Sequence, residues 1–448
     1  MQLYSKSTQQ RLTPGVKSTL LPPLSLRVNF VWTSIGNVIY AACQWGMTVA
    51  LAKSGSPEMV GEFALGLALT APIILFAGLA LRAVQATDAQ QVYRFSDYLG
   101  LRLLTSFVAV AVIVGMAWAG NYNRGTQWTI FFIGLAKALE MVSDTFYGLF
   151  QQRERMDRIA GSMIIKGPLS LAALAVAVMA TRQVWVGAAA LSMVWLLVLL
   201  LYDMPNGLRI LGAERHAQIG PRWHPPTMVR LTRLSFPLGL TLMLISLNTN
   251  IPRYFIEHHW GHRELGFFAA VAYLMVAGST VVNALGQSAS PRLAKYYASG
   301  NRQQFLHLLV RLVGTGLALG AAGVLISLAA GKEILALFYE PEYAQFNRVL
   351  VWVMAAAALS YVASFLGYAM TAAHCFSIQP LIFAGVALVS ALFCGILIPP
   401  YGVLGAAWAV GAANGLQLLL SMICVFIALH RLHRQEDRAE RVLYEPEQ

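Results

Sequence analysis

Apolar runs long enough to cross a lipid bilayer recur along almost the whole chain. A helix needs roughly 20 apolar residues to span the hydrocarbon core, whereas a strand of a membrane barrel needs only about 10. A backbone in lipid must satisfy its own hydrogen bonds, so each run predicts a helix and the chain is predicted to be an all-α polytopic membrane protein. The twelve predicted helices, numbered 1 to 12, cover residues 30–52, 60–82, 98–120, 127–150, 159–180, 184–202, 232–252, 265–288, 305–330, 348–371, 377–398 and 403–429.

The composition indicates lipid as the solvent of most side chains. Charged residues make up 12% of the chain, about half of the 25% that is typical of soluble domains. The net charge of +12 is interpreted as loop charge, and no interleaving of basic with aromatic residues predicts nucleic-acid binding. Polar residues 1–26 precede a first apolar run of full length, so helix 1 is predicted to be its own insertion signal.

Loops rich in Lys and Arg alternate with loops that hold few of them. Because positive residues stay on the cytoplasmic side, the rich loops predict that both termini are cytoplasmic, in a bacterial inner membrane. Termini on the same side require an even number of helices, which agrees with twelve. The rich loops include Lys17, Arg27, Arg94, Arg153, Arg155, Arg158, Arg209, Arg215, Arg222, Arg230, Arg292, Lys295, Arg302, Arg431, Arg434 and Arg438.

The two halves of the chain resemble each other in short motifs and in their order. Residues 61–64 (Gly-Glu-Phe-Ala) open helix 2, and residues 266–269 (Gly-Phe-Phe-Ala) open helix 8. Six helices in each half predict a parallel repeat about an axis along the membrane normal. The predicted units are a cytoplasmic tail 1–27, an N-lobe 28–202 with helices 1–6, a cytoplasmic linker 203–230, a C-lobe 231–430 with helices 7–12, and a cytoplasmic tail 431–448.

Helix 4 carries charged and polar residues at steps of three and four, which place them on one face. Charged groups inside a membrane are costly and usually face a cavity or a partner. Two interpretations stay open: a buried ion-pair network that fixes helix 4 to its neighbours, or a functional face on which the two carboxylates bind a coupling ion. The residues are Lys137, Glu140, Asp144, Tyr147 and Gln151.

Helices 1, 7 and 8 are polar on one side only. Amides and hydroxyls on one face either line a wet cavity or bond between helices. The positions singled out as candidates are Asn37 and Gln44 on helix 1, Asn250 and Arg253 on helix 7, and Asn283 and Gln287 on helix 8.

Three arginines lie in or at the ends of predicted helices, namely Arg82, Arg253 and Arg311. A guanidinium clamps a phosphate through two parallel hydrogen bonds. The alternative is that a long side chain extends to the membrane interface. Arg253, which neighbours two asparagines, fits the phosphate role better than the other two arginines do.

Several kinds of chemistry lack a signal. His258 and His262 have the spacing of a zinc-protease helix but not its glutamate, so a metal site is not predicted. The four cysteines lie in or beside apolar runs without disulfide or metal spacing. No Gly-rich phosphate loop, nucleophile motif or long external loop predicts catalytic residues or a cofactor.

Through a series of short motifs, the sequence resembles the polysaccharide transporter family. These are the oligosaccharide repeat-unit flippases of the multidrug/oligosaccharidyl-lipid/polysaccharide exporter superfamily. The likeness covers about residues 28–430, and the order of the motifs carries most of it. The position before Arg253, often acidic in relatives, is Pro252 here, which puts an ion-coupling acid at that place in doubt. The motifs are residues 61–64, 151–156, 246–257, 264–270, 283–287, 291–294, 341–343 and 401–407.

The resemblance implies two six-helix lobes around a central cavity lined by helices 1, 2, 7 and 8. It implies alternating access and an undecaprenyl-diphosphate-linked oligosaccharide substrate, moved to the periplasmic leaflet for O-antigen, capsule or exopolysaccharide synthesis. A periplasmic polymerase and a chain-length regulator would be partners. The candidate substrate-binding residues are Arg253, Lys137, Arg82, Asn250, Asn37, Gln44, Asn283 and Gln287, and the candidate ion-coupling residues are Glu140 and Asp144.

Two other functions stay open. One is a cation-coupled multidrug exporter of the same superfamily, whose cavity should be acidic or aromatic. The other is a membrane-embedded polysaccharide polymerase or acyltransferase, which should need a catalytic external loop.

Overall fold

The computed structural model describes residues 24–88, 92–212, 220–373, 375 and 378–444, with side chains as far as residue 430 apart from residue 26. Within these residues the chain is helical and forms no strand, which confirms the predicted all-α class. Some of the positive residues used to predict the orientation lie outside the described residues or side chains, namely Lys17, Arg215, Arg431, Arg434 and Arg438.

The helices follow one another with short connections, and their first turns show why they begin where they do. Ser25 and Asn123 accept hydrogen bonds from the backbone of the first turns of α1 and α5, and Pro57 opens α2 at a position that needs no N–H. The helices are α1 Leu26–Ser54, α2 Pro57–Gly78, α3 Leu81–Thr87, α4 Phe95–Ala119, α5 Arg124–Gln152, α6 Met156–Thr181, α7 Val184–Val198, α8 Met204–Gly212, α9 Pro225–Ala298, α10 Arg302–Phe338, α11 Asn347–Ala372 and α12 Gln379–Tyr444. A π-helical turn, Leu199–Asp203, joins α7 to α8, and a 3₁₀ turn, Pro341–Phe346, precedes α11.

Two helices are interrupted by a glycine in a conformation that other residues rarely adopt. Gly261 has φ 78° and Gly402 has φ 55°, which only glycine adopts without strain. The 74 residues of α9 would extend about 110 Å as one helix, several times the thickness of the hydrocarbon core. A Cβ on Gly405 would lie 2.6 Å from the carbonyl carbon of Leu397, so the chain reverses at Gly402.

We name the parts of these two helices α9a (225–260), α9b (262–298), α12a (379–401) and α12b (403–444). Divided in this way and without the short helices α3 and α8, the described helices correspond in order to the twelve predicted ones. Among the described residues, nine helices are long and apolar enough to cross a membrane, with α9 and α12 each counted once. Helix α5 is not one of the nine, and it carries three charged residues along its length, Lys137, Glu140 and Asp144. The count of twelve crossings and the division into two lobes stay predictions.

One apolar cluster joins the two halves of the chain at one end of the bundle. It contains Met47 and Phe63 from the first half and Phe268, Tyr339 and Val403 from the second. These residues lie near the ends of the helices that the loop charges predict to be periplasmic. Toward the opposite end, the second half has its own cluster around α9b, α10, α11 and α12. The halves therefore share a core mainly at the predicted periplasmic end.

At the predicted cytoplasmic end, the two halves contact each other through α2 and α9a. Phe76 packs edge-on against Phe236 with ring centroids 5.6 Å apart, and Leu79 packs with Leu231. By contrast, the first turns of α1 expose large apolar side chains such as Phe30 and Val38. The first half of α1 thus has a broad face that the rest of the protein leaves uncovered.

Candidate substrate cavity and buried charge network

A cavity of about 520 Å³ lies among the helices of the second half. Its described lining comes from α9a, α9b, α11, α12a and α12b, with no residue of α1–α8. This differs from the resemblance, which implies helices 1, 2, 7 and 8. Most of the lining is apolar, and its polar members are amides and hydroxyls together with one charged residue. They are Asn248, Thr249, Arg253, Ser279, Asn283, Ser360, Ser364, Tyr368, Thr371, Gln379, Asn414, Gln417 and Ser421.

Arg253 is the one charged residue among those described that line this cavity. Its Nη1 donates to Asn250 Oδ1 at 2.9 Å, and the Asn250 amide in turn donates to the Ser246 carbonyl at 2.9 Å. The buried Nε of Arg253 has no hydrogen-bond partner, and no described carboxylate lies within ion-pair distance of the side chain. Arg253 as a whole is partly buried, and a cation withdrawn from water without a counter-charge is costly, so the site favours an anion.

The amides around the cavity differ in how much of their bonding capacity is used. Asn248 donates to the Phe383 carbonyl at 3.2 Å, while its buried Oδ1 accepts no hydrogen bond. Gln379 donates to Thr371, and Asn414 donates to the Ala356 carbonyl at 2.9 Å. Each amide has two donor hydrogens and two acceptor lone pairs. The cavity therefore retains donors and acceptors suited to the hydroxyls of a sugar.

The charged face of α5 is engaged in ion pairs within the first half. Glu140 accepts from Lys137 Nζ at 3.0 Å and from the Tyr40 hydroxyl of α1 at 2.8 Å. Asp144 pairs with Arg82 of α3 at 3.3 Å. Both carboxylates on this face thus have a positive partner. Of the two interpretations of helix 4, this geometry shows the ion-pair network; it does not test a role in coupling.

Sequence reasoning missed a second part of the network. Lys166 of α6 is 1% exposed and donates to the Tyr147 hydroxyl at 3.2 Å. Asp203, in the π-helical turn, is fully buried beside Lys166. Arg102 of α4 donates to the Gly78 carbonyl at 3.0 Å, a group left free where α2 ends. The signal was present, since all three are charges within or at the edge of predicted helices.

The predicted site residues fall into separate groups. Arg253 and Asn283 line the cavity, and Asn250 holds Arg253. Lys137 and Arg82 belong to the network of the first half. The remaining candidates are Asn37 and Gln287, which are exposed, and Gln44, which is partly buried.

The matched glycines of the repeat meet between the two halves. A Cβ on Gly61 would lie 2.6 Å from the carbonyl carbon of His262, and a Cβ on Gly266 would lie 2.8 Å from that of Pro57. Only a residue without a side chain permits backbones this close. We call this arrangement the glycine contact. Around it, Arg263 pairs with both Glu58 and Glu342.

A tyrosine next to the glycine contact joins α1 to α9b. The Tyr339 hydroxyl accepts from Trp45 Nε1 at 3.1 Å and donates to the Ala270 carbonyl at 2.9 Å. Burial raises the pKa of Tyr339 to about 12. The hydroxyl therefore keeps its proton, and this link between the halves is independent of pH over the physiological range.

His258 and His262, which have the spacing of a zinc-protease helix, are not part of a group of metal ligands in the part of the chain that the structure describes. Among the described residues no group of three or more His, Cys, Asp or Glu side chains could hold a metal ion. His262 instead contacts Thr126 Oγ1 at 3.4 Å and Glu257 at 3.9 Å. Its place is in the contact between the halves.

Comparison with known proteins decides the family. Residues 26–297 match the family described as "Polysaccharide biosynthesis protein". The chain belongs to this family. A relative from Staphylococcus aureus, "Capsular polysaccharide biosynthesis protein CapF", is 27% identical over 397 residues, which cover 87% of this chain and 97% of the relative.

Solved structures show the fold. The chain is similar to an inward-facing multidrug resistance MATE family transporter of the MOP superfamily, with a TM-score of 0.67, 13% identity, and coverage of 91% of this chain and 99% of that one. It is also similar to an outward-facing MATE family transporter, with a TM-score of 0.58, 12% identity, and coverage of 94% and 99%. The family match confirms the predicted polysaccharide family, and the solved structures show that the chain shares the fold of MATE family transporters.

Proposed function

We propose that this polysaccharide biosynthesis protein is a flippase for lipid-linked oligosaccharides. It would move undecaprenyl-diphosphate-linked repeat units from the cytoplasmic to the periplasmic leaflet of the bacterial inner membrane. The observation that carries the proposal is Arg253, a partly buried guanidinium with a buried, unpartnered Nε and no described counter-charge, in a mostly apolar cavity that also presents amides and hydroxyls. The membership of the family and the capsular relative point to the same class of cargo.

The chemistry of the cavity fits the head group of such a lipid. A guanidinium binds a phosphate through charge-assisted hydrogen bonds, which are about twice as strong as neutral ones. Amides and hydroxyls can both donate hydrogen bonds to sugar hydroxyls and accept hydrogen bonds from them. A volume of about 520 Å³ lies within the range of small-molecule sites. A cationic drug would be repelled by Arg253, and no carboxylate is found among the described lining residues to attract it.

Alternating access is the mechanism that we propose for this movement. The shared apolar cluster and the glycine contact hold the halves together at the predicted periplasmic end. The uncovered face of α1 lies toward the predicted cytoplasmic end. This arrangement fits a state open to the cytoplasm, and the higher TM-score against the inward-facing relative agrees with it. Separation of the glycine contact would open the opposite side.

The network of the first half would act during this change rather than as the first phosphate site. Lys137 is bound to Glu140 in the described state, so it can reach a substrate only if that pair opens. Glu140 and Asp144 would then be released to accept a proton or another cation. The proposed order is therefore capture by Arg253, followed by rearrangement of the network as the two halves move.

The test is surface glycan in a deletion strain that expresses either wild-type protein or Arg253→Gln. We expect Arg253→Gln to insert normally, to lose surface glycan and to accumulate lipid-linked units on the cytoplasmic face. Arg233→Gln is the matched control, because Arg233 is an exposed arginine of the same helix outside the cavity. Units that reach the periplasmic face but stay unpolymerised would contradict the flippase proposal.

A further inference from the structure

A second, smaller cavity lies between the end of α9b and the beginning of α10, away from Arg253. It has a volume of about 310 Å³. Apart from one leucine, all of its described lining side chains carry hydrogen-bonding groups, and two of them are arginines. They are Arg292, Tyr296, Gln304, His307, Leu308 and Arg311.

The helical periods of α9b and α10 bring these residues together. Arg292 and Tyr296 are one turn apart near the end of α9b. On α10, His307 and Arg311 are also one turn apart. The short connection between the helices ends at Asn301, which accepts from the Gln304 backbone at 3.0 Å. The connection therefore fixes the two basic faces against each other.

Among the described residues, no carboxylate compensates the positive charge of this cavity. The sequence has no Asp or Glu between Glu264 and Glu333. No described carboxylate lies within ion-pair distance of Arg292 or Arg311. Lys295, one turn after Arg292, adds to the positive potential, which attracts anions.

The surface that continues from this cavity toward the middle of α10 can accommodate a lipid chain. Gly314, Thr315 and Ala318 are exposed there, and a Cβ on Gly314 would meet nothing within 4 Å. Val281 on the facing helix α9b is 45% exposed. An anion site at the membrane edge beside a small-residue, exposed helix surface suits a lipid better than a free ion, because the tail can stay in the bilayer.

We infer that this cavity is a docking site for the diphosphate head group of a polyprenyl lipid in the leaflet that faces it, predicted to be the cytoplasmic one. Two guanidinium groups match the two phosphates of such a head group better than the single charge of a phosphodiester. The choice of a polyprenyl lipid rests on the proposed function, whereas the site itself does not depend on Arg253. It would gather substrate at the membrane surface before the head group enters the larger cavity.

The test is binding of farnesyl diphosphate to the full-length protein in detergent. All proteins carry Arg253→Gln, so that the larger cavity does not contribute, and binding is measured by isothermal titration calorimetry at low and high salt. We expect the additional double change Arg292→Gln and Arg311→Gln to weaken binding about 10- to 100-fold, as expected when charge-assisted hydrogen bonds are lost. The matched control is Arg302→Gln, an exposed arginine nearby that does not line the cavity.

Two competitors distinguish the sources of phosphate. We expect phosphatidylglycerol and inorganic pyrophosphate each to compete more weakly than farnesyl diphosphate, because one has a single charge and the other lacks a tail. Tighter binding of either competitor, or an equal loss of binding in Arg302→Gln, would overturn the assignment. If Arg253→Gln keeps full transport in cells while this binding is confirmed, the proposed role of Arg253 fails and the docking site stands.

Discussion

The glycine contact makes a sharp prediction about the balance between the two proposed states. Alanine at Gly61 would place a carbon 2.6 Å from the His262 carbonyl carbon, and alanine at Gly266 would place one 2.8 Å from that of Pro57. Carbon atoms prefer a separation of about 3.5–4.0 Å, and the carbonyl oxygens of His262 and Pro57 lie closer still, so the backbones must move apart by more than about 1 Å. Such overpacking costs about 1–3 kcal/mol. The cost falls on the closed contact alone.

That difference is large enough to measure. A bias of 1–3 kcal/mol changes a two-state ratio by roughly 5- to 150-fold. The assay is electron–electron distance spectroscopy on spin labels at Lys53 and Glu340, two exposed positions on opposite halves near the contact, with the four native cysteines replaced. We expect Gly61→Ala to increase the population with the longer distance, and Gly61→Ala with Gly266→Ala to increase it further.

Matched controls separate this effect from the general effect of alanine in a helix. Replacement of glycine by alanine also raises helix propensity by about 1 kcal/mol. Gly115→Ala and Gly314→Ala carry the same propensity change, and a Cβ at either position would meet nothing within 4 Å. A wild-type distance distribution in Gly61→Ala, or the same shift in Gly115→Ala, would refute the reasoning.

Two further predictions concern charges. Glu140→Gln removes the charged acceptor of Lys137 and Tyr40, so we expect a loss of about 1–3 kcal/mol in stability from the unsatisfied groups; a thermal unfolding midpoint equal to that of the wild type would contradict the network. Arg263→Gln breaks two exposed ion pairs between helices. Because exposed pairs are weak and screened by salt, we expect the thermal unfolding midpoint to equal that of the wild type at high salt and to be slightly lower only at low salt; a large decrease at high salt would contradict this.

The helices could be predicted from the sequence because length and hydropathy decide them in lipid. Gly261 and Gly402, at which the helices α9 and α12 are interrupted, both fall between predicted helices. The polar stripe of α5 was also visible, since its spacing alone puts Glu140 and Asp144 on one face.

The partners of these residues were not predictable in the same way. Periodicity shows that Lys166 and Asp203 are costly in a membrane, but only the packing of α5 against its neighbours brings the network together. Asn29 lies on the polar side of helix 1. However, its amide donates to the Leu24 and Glu154 carbonyls where α1 begins. The spacing of residues along a helix shows which of them share a face, but it does not show which other helix that face packs against.

Arg311 illustrates the same limit for binding sites. From the sequence, a single arginine within a predicted helix could be interpreted either as a phosphate ligand or as a side chain that extends to the membrane interface. Its neighbour Arg292 is 19 positions earlier on another helix, and no sequence period relates the two. The pair became recognisable only when both were found to line one cavity.

The two glycines of the glycine contact occupy equivalent positions, each facing the backbone beside the other. Gly61 meets the residue four positions before Gly266, and Gly266 meets the residue four positions before Gly61. A surface in which each copy presents the same feature to the other is the mark of a twofold homodimer. A six-helix ancestor with one such glycine could therefore have paired with itself before gene duplication and fusion, and the present contact would preserve that ancestral dimer interface within a single polypeptide.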